Sequence, residues 1–394
     1  MKKIFLTIFF ICAMLFISGC CGFFLLDFLF PFPMPDGKKE FAVAVLADDG
    51  SPLRSFPDKN GVWRYPVCID DVSPHYLEAL VNYEDRWFWR HPGINPWSLA
   101  RALVVYIEEG SPILGGSTLT MQAARIIDPH PRTIPGKIKQ IFRALQLEQH
   151  LTKNEILALY LNFAPFGGPV EGVQAACYTY LGKPADELSR AEAALMAVLP
   201  QAPSKLRPDR HPERARAARD KVLKRMARVQ CLGKETVRDA MIEGVETGFV
   251  SLPMKAPLLA RRLYSRNKNK GGTIRTTIDA YLQETVESLL ADTVKRFPPK
   301  TSAAAIILEN RTLFVKAYAG SADFLDASRF GCVDMVTAVR SPGSTLKPFL
   351  YAFALEEGLI HSESLLMDAP VSFAGYRPGN FTSGFAGPVS ASEA

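Results

Sequence analysis

Apolar and polar positions change rhythm several times along this chain. Residues 4–26 carry no charge, with Lys2 and Lys3 before them and Asp27 after. Crossing a hydrocarbon core takes about 20 apolar residues, so the run predicts a helix long enough to span a membrane. Residues 41–69 alternate loosely: Phe41-Ala42-Val43-Ala44-Val45-Leu46 followed by Asp48-Asp49-Gly50 predicts a strand, a turn and a second short strand. From Ser73 to about Gly244 the period is helical with short breaks. Ser73 can cap a helix and Pro74 suits its first turn, after which Leu77, Leu80 and Val81 fall at i, i+3 and i+4. Thr152 with Glu155 and Ser189 with Glu192 form capping boxes, each leading into an apolar run. So much helix without strands predicts a compact, mostly α domain. Residues 246–272 lose the pattern and gain proline and basic residues, which predicts a linker. Beyond it, residues 303–308 and 313–319 around Glu309-Asn310-Arg311 predict a hairpin.

Composition adds little to this picture. The 394 residues are 48% apolar, include 29 prolines and carry a formal charge of +6, which fits two or three globular domains. Nucleic acid is excluded as a partner, because no aromatic-interleaved basic platform or zinc spacing accompanies the mild basic excess. Seven cysteines, at 12, 20, 21, 68, 177, 231 and 332, define neither a metal site nor a disulfide framework. The lysines before the apolar run place the N-terminus in the cytoplasm and everything after about residue 33 outside it. Ile17-Ser18-Gly19-Cys20 permits a lipoprotein-type cleavage instead, but the apolar run continues past Cys20 to Leu26 and favours an uncleaved anchor. The basic stretch 211–228, with Arg214, Arg216, Arg219, Lys221, Lys224, Arg225 and Arg228, reads as the solvated face of a closing helix, with anionic lipid heads as the alternative.

Candidate chemistry starts at Glu84. It takes the i+7 place on the stripe of Leu77, Leu80 and Val81, and Trp87 and Phe88 follow. A carboxylate pushed toward an apolar site has its ionised form disfavoured, which makes it a usable base. A boundary glutamate paired with Arg86 or Arg90 is the plainer alternative. About two dozen residues on, Gly115-Gly116-Ser117-Thr118-Leu119-Thr120-Met121-Gln122 opens into a helix start, where free N–H groups favour anions such as phosphate. Between Arg132 and His150, Pro135 can begin a helix with an apolar stripe of Ile138, Ile141, Phe142 and Leu145, while Lys137, Gln140, Ala144 and Leu147 share another face.

Glu84-Asp85-Arg86 with Phe88, His91 and Gly93, then residues 115–122, resembles the first two motifs of the peptidoglycan glycosyltransferases. Matching segments follow in order at 153–162, 171–183 and 193–204, so the resemblance runs over roughly residues 40–390. Residues 273–279 and the Ser344-Thr345-Leu346-Lys347 pattern after Ser341-Pro342-Gly343 resemble a penicillin-binding transpeptidase domain, as in the class A penicillin-binding proteins. The resemblance implies a mainly α, lysozyme-like glycosyltransferase domain at 34–245. A transmembrane anchor at 1–33 precedes it, and a linker at 246–272 and an incomplete α/β (α+β) transpeptidase domain at 273–394 follow. It implies an inner-membrane enzyme with its catalytic part on the periplasmic side, polymerising lipid II into glycan strands by inverting transfer. Its partners would be lipid II, the growing strand and other cell-wall synthesis proteins.

Within that resemblance Glu84 is the general base, and Gln140 stands where the family has a second glutamate. Asp85, His91, Ser117, Thr118, Gln122, Arg125, Arg132 and Lys137 are the expected substrate contacts. Gly136 replaces a common arginine and Asn95 an aspartate, and with Gln140 these departures bear on the divalent cation, magnesium or manganese, that the family uses. A lipid diphosphate leaves as a stable anion and needs charge neutralisation more than protonation, so one base plus cations can suffice. Ser344 and Lys347 match a transpeptidase nucleophile and its base, one helical turn apart. No Ser-x-Asn follows Ser344 and no lysine follows Lys347. Transpeptidation is therefore expected to be absent, with residues from about 273 onward loosely held. The competing readings are a lytic glycan-cleaving enzyme and a catalytically weak scaffold or glycan-binding protein of the cell-wall machinery. Product analysis on lipid-linked substrate against finished glycan separates them.

Overall fold

The computed structural model describes residues 2–34, 41–97, 100–101, 116–245, 253–267, 272–380 and 384–393, and side chains of the first helix only at Met14 and from Ile17 onward. Gly115 and residues 246–252 and 268–271 of the expected linker lie outside these residues. Residues 1–336 and 337–394 form two compact units.

In the first unit, α1 (Lys2–Leu29) is a single helix of 28 residues. The expected anchor at 4–26 falls largely on side chains outside the described set, and among the described residues no helix is long and apolar enough to cross a membrane. The first strand pair forms as predicted: β1 (Val43–Leu46) runs antiparallel to β2 (Pro52–Phe56). β1 is apolar on both faces, and both are covered. Ala42, Ala44 and Leu46 enter the main core, while Val45 and Ala47 enter a second one with Leu53, Ala256, Leu259, Ala260, Ile278 and Tyr318.

The main core is helical. Its elements include α2 (Pro74–Glu84), α3 (Leu119–Ile127), α4 (Ile134–His150), α5 (Lys153–Phe163), α6 (Val173–Tyr180), α7 (Arg190–Val198), α8 (Pro203–Leu206), α9 (Pro212–Arg228) and α10 (Lys234–Ile242). Both capping boxes are present. Ser73 does not cap with its side chain; its hydroxyl is buried and donates to the Leu188 carbonyl at 3.1 Å. The strand-free expectation is also corrected, because β3 (Pro165–Gly167) and β4 (Val170–Glu171) make a small antiparallel pair. Arg219, counted on a solvated face, is 2% exposed. It donates to Asp220 and to the carbonyls of Met241 and Glu243, tying α9 to the end of α10.

The largest revision concerns residues 246–336. Part of the expected linker is α11 (Pro257–Asn267), whose Leu258, Leu259 and Ala260 are buried. β5 (Gly272–Arg275) then pairs parallel with β1, completing a three-stranded sheet in the order β2-β1-β5. α12 (Ala280–Val294) packs with the predicted hairpin, β6 (Ala305–Leu308) and β7 (Val315–Ala319), burying Val286, Ala317 and Ala319. Residues 272–336 are thus packed into the first compact unit. The second unit contains α13 (Lys347–Glu356) and an antiparallel pair, β8 (Leu365–Asp368) and β9 (Gly387–Ser390).

Candidate active site

Glu84 is the last residue of α2. The buried face of this helix is Tyr76, Ala79, Leu80 and Tyr83, one position away from the predicted stripe. Glu84 therefore stands at the edge of the core, not within it. Its carboxylate pairs with neither neighbouring arginine; Arg86 and Arg90 lie 6.0 and 5.1 Å from the Trp87 ring centre. Instead Gln122 Nε2 donates to Oε2 and Gln201 Nε2 to Oε1, each at 2.8 Å. Burial pushes the Glu84 carboxyl above its ordinary range. The two amides and Arg225 pull it back, and Asp85 adds to the rise.

The next residue faces inward. Asp85 accepts from His91 Nε2 and from the Leu119 backbone N–H, both at 2.9 Å. Thr118 caps α3 by accepting from the Met121 N–H at 3.1 Å and donates to the Gly93 carbonyl. Gly93 has φ +83°, and a Cβ there would stand 2.9 Å from the Ala144 carbonyl oxygen, so glycine lets the first motif sit on α4. Three expected substrate contacts, Asp85, His91 and Thr118, are thus buried in bonds that lock the end of α2 to the start of α3. The helix N-terminus expected to cradle phosphate already holds the Asp85 carboxylate.

The cations gather on the other side of α3. Lys137 Nζ donates to Ser117 Oγ at 2.7 Å and to Gln140 Oε1 at 3.1 Å. Gln140 is 4% exposed and donates through Nε2 to the Met121 carbonyl at 2.7 Å. Burial, assisted by Arg125, lowers the Lys137 ammonium to about 8. Arg125 is lowered in turn by burial and by Arg132. The nearby carboxylate of Asp128 is engaged by Lys139 at 2.7 Å and Arg143 at 2.8 Å, so it does not neutralise the three. Met121 and Gln122 are adjacent on α3, so neighbouring residues of this helix meet Glu84, through the Gln122 side chain, and the Gln140–Lys137–Ser117 group, through the Met121 carbonyl.

The face of α4 that carries this chemistry is its buried one: Gly136, Gln140, Ala144, Gln146 and Leu147. Ile138, predicted for the apolar stripe, is 63% exposed, and Phe142 meets Phe23 of α1 with ring centres 5.8 Å apart. Gly136 has a local reason. A Cβ there would lie 2.1 Å from the Pro131 carbonyl oxygen, so the turn into α4 leaves no room for the arginine. The donor set does not suit a divalent cation at Gln140, whose oxygen already accepts from an ammonium group. Among the described residues no group of three His, Cys, Asp or Glu side chains could hold a metal ion.

Two family models match the chain: Transglycosylase over residues 49–227, and Penicillin binding protein transpeptidase domain over 303–387. The chain belongs to the class A penicillin-binding proteins. It is 55% identical over 93% of its length to penicillin-binding protein 1C of Escherichia coli (strain K12), covering 47% of that protein. It is 30% identical over 89% of its length to penicillin-binding protein 1F of Bacillus subtilis (strain 168), covering 50% of it. Penicillin-binding protein 1A of Aquifex aeolicus (strain VF5) matches 59% of the chain at 36% identity, with 33% of that protein covered. The chain thus spans about half the length or less of the curated relatives it matches.

The transpeptidase-type pair of this class A protein is placed differently from Glu84. Ser344 lies in a short 3-10 turn, Gly343–Leu346, and Lys347 opens α13; both are exposed. The Lys347 backbone N–H donates to the Ser344 carbonyl, and among the described residues no side-chain hydrogen bond joins the two. Sequence reasoning missed Gln201. It sits inside a matching segment, but 117 positions from Glu84, and no local periodicity points from one to the other.

Proposed function

We propose that the chain is a peptidoglycan glycosyltransferase, polymerising a lipid-diphosphate-linked disaccharide, lipid II, into glycan strands at the outer face of the inner membrane. The observation that carries this reading is a desolvated carboxylate, Glu84, held by α3, with the cations Lys137, Arg125 and Arg132 grouped at the same helix and an amide where a second acid would stand. Glu84 accepts the proton of the acceptor sugar's 4-hydroxyl as that oxygen attacks the anomeric carbon of the donor. The bond from that carbon to the diphosphate breaks, its electron pair leaves with the diphosphate, and configuration inverts. Lys137, Arg125 and Arg132 neutralise the developing charge, and Ser117 holds the Lys137 ammonium in place. Asp85, His91 and Thr118 position these groups without touching substrate.

Hydrolytic cleavage of finished glycan fits less well, because a glycosidase needs a general acid as well as a second carboxylate. No step here passes through a metal ion. We assign α1 as a single-pass anchor with the catalytic part periplasmic. Supporting this, Asp27 at its end accepts from Gln146 at 2.7 Å and pairs with His150 at 2.8 Å, fastening α1 to the helix that carries Lys137. The deciding experiment supplies purified protein with lipid-linked disaccharide or with finished glycan. Polymer from the first supports the reading; cleavage of the second, or neither product, overturns it.

A further inference from the structure

Glu84 has two carboxylate oxygens, and each receives one side-chain amide: Oε2 from Gln122 on α3 and Oε1 from Gln201, at the end of the 3-10 turn Leu199–Gln201 after α7. Two donors from different elements fix the plane of a carboxylate as one donor cannot. A carboxylate has about four lone-pair positions, so two stay open to receive a proton. The Gln201 amide is itself oriented. Its Oε1 accepts from the Tyr83 hydroxyl at 3.4 Å, which turns Nε2 toward Glu84, and the reverse orientation would set an amide oxygen against a carboxylate. Tyr83 is in turn covered by the Arg225 guanidinium, 5.4 Å from its ring centre.

We propose that Gln201, turned by Tyr83, is a positioning residue that keeps the Glu84 carboxylate aimed and able to accept the proton of the attacking hydroxyl. This rests on the assignment of Glu84 as the base. The groups facing Glu84 are Asp85 and Tyr83 on its own segment, Tyr76 on α2, Gln122 on α3, Tyr160 on α5 and Arg225 on α9. Burial holds the phenols of Tyr76 and Tyr160 neutral, so they supply no charge. Arg225 supplies a favourable charge and Asp85 an opposing one. Gln201 is exposed on its other side, so it can be exchanged without disturbing the core.

The test is the pH profile of polymerisation for wild type, Gln201→Ala and Gln201→Lys, with melting temperature as a control. Losing one hydrogen bond to a charged acceptor moves the acid limb of Gln201→Ala upward by about one pH unit. Turnover at neutral pH falls several-fold with KM unchanged. Gln201→Lys offers a charged donor and moves the same limb downward. Opposite displacements support the proposal, since a merely structural role moves neither limb. Superimposed profiles, or displacement of both variants in one direction, overturn it. Should wild type make no polymer, the functional reading fails by itself. A carboxyl NMR titration of Glu84 in the same three proteins then decides the inference, with an unchanged titration in Gln201→Ala overturning it.

Discussion

Two groups suited to chemistry stand at helix ends in this chain, Glu84 at the close of α2 and Ser344 just ahead of α13, and their surroundings differ in kind. Around Glu84, two amides, an adjacent buried aspartate and a partly dehydrated setting converge from α2, α3, α9 and the turn after α7. Around Ser344 there is solvent, and the apolar residues of the following helix are bare: Phe349, Leu350 and Phe353 are each at least 65% exposed. A side chain becomes a catalyst when other elements hold its partners in place and exclude water. The same short motif without those partners is only a sequence.

The largest test of this contrast is Glu84→Gln. It keeps the shape and removes the proton acceptor, and polymerisation is expected to fall at least about 10³-fold, within the range of general-base contributions. An unchanged melting temperature confirms that the wiring, not the fold, was lost; retained activity removes Glu84 from the role. Next is Lys137→Ala, which in the proposed mechanism takes a charge from the leaving diphosphate and is expected to cost about 10²-fold, while a chelator changes the rate little. Strong inhibition by chelator, with an indifferent Lys137→Ala, would reassign departure of the leaving group to a metal.

A pH profile gives a smaller but more directional effect. The base must be deprotonated, and burial raises Glu84, so the acid limb lies above the ordinary glutamate value. If Lys137 acts at the diphosphate as proposed it must stay protonated, and its lowered value puts the expected alkaline limb at about 8. A rate still flat well above that pH contradicts a required ammonium. On the other side of the comparison, a fluorescent penicillin is expected to leave no durable label on Ser344 of these 394 residues, because no described group orients it. Stoichiometric label surviving denaturing electrophoresis contradicts this. The mildest effect is on stability. Gly136→Ala forces a methyl group onto the Pro131 carbonyl and is expected to cost about 1–3 kcal/mol, a melting point lower by several degrees.

Several features were legible because their causes are local. The capping boxes at Thr152 and Ser189 need only residues three apart. The strand pair at 43–56 and the hairpin at 305–319 follow from short-range alternation and turn chemistry. The shared face of Lys137 and Gln140 follows from helical spacing, and they do meet at 3.1 Å. Motif order pointed to the family, and the helical stripe together with the first motif pointed to Glu84 as the candidate base.

What could not be read depends on which face meets which neighbour. The sequence shows an apolar stripe through Ile138 and a second face bearing Lys137 and Gln140 on α4, and only packing against α3 and α5 decided that the one bearing Gln140 goes inside while Ile138 goes out. The stretch expected as a linker looked polar and proline-rich. It became part of the fold because β1, apolar on both faces, needed cover that α11, β5 and Tyr318 supply from more than 200 positions away. Gln201 reached Glu84 by the same route. Periodicity records how a segment presents its side chains, but the pairing of distant segments is set by burial summed over the whole core, which no single stretch of sequence contains.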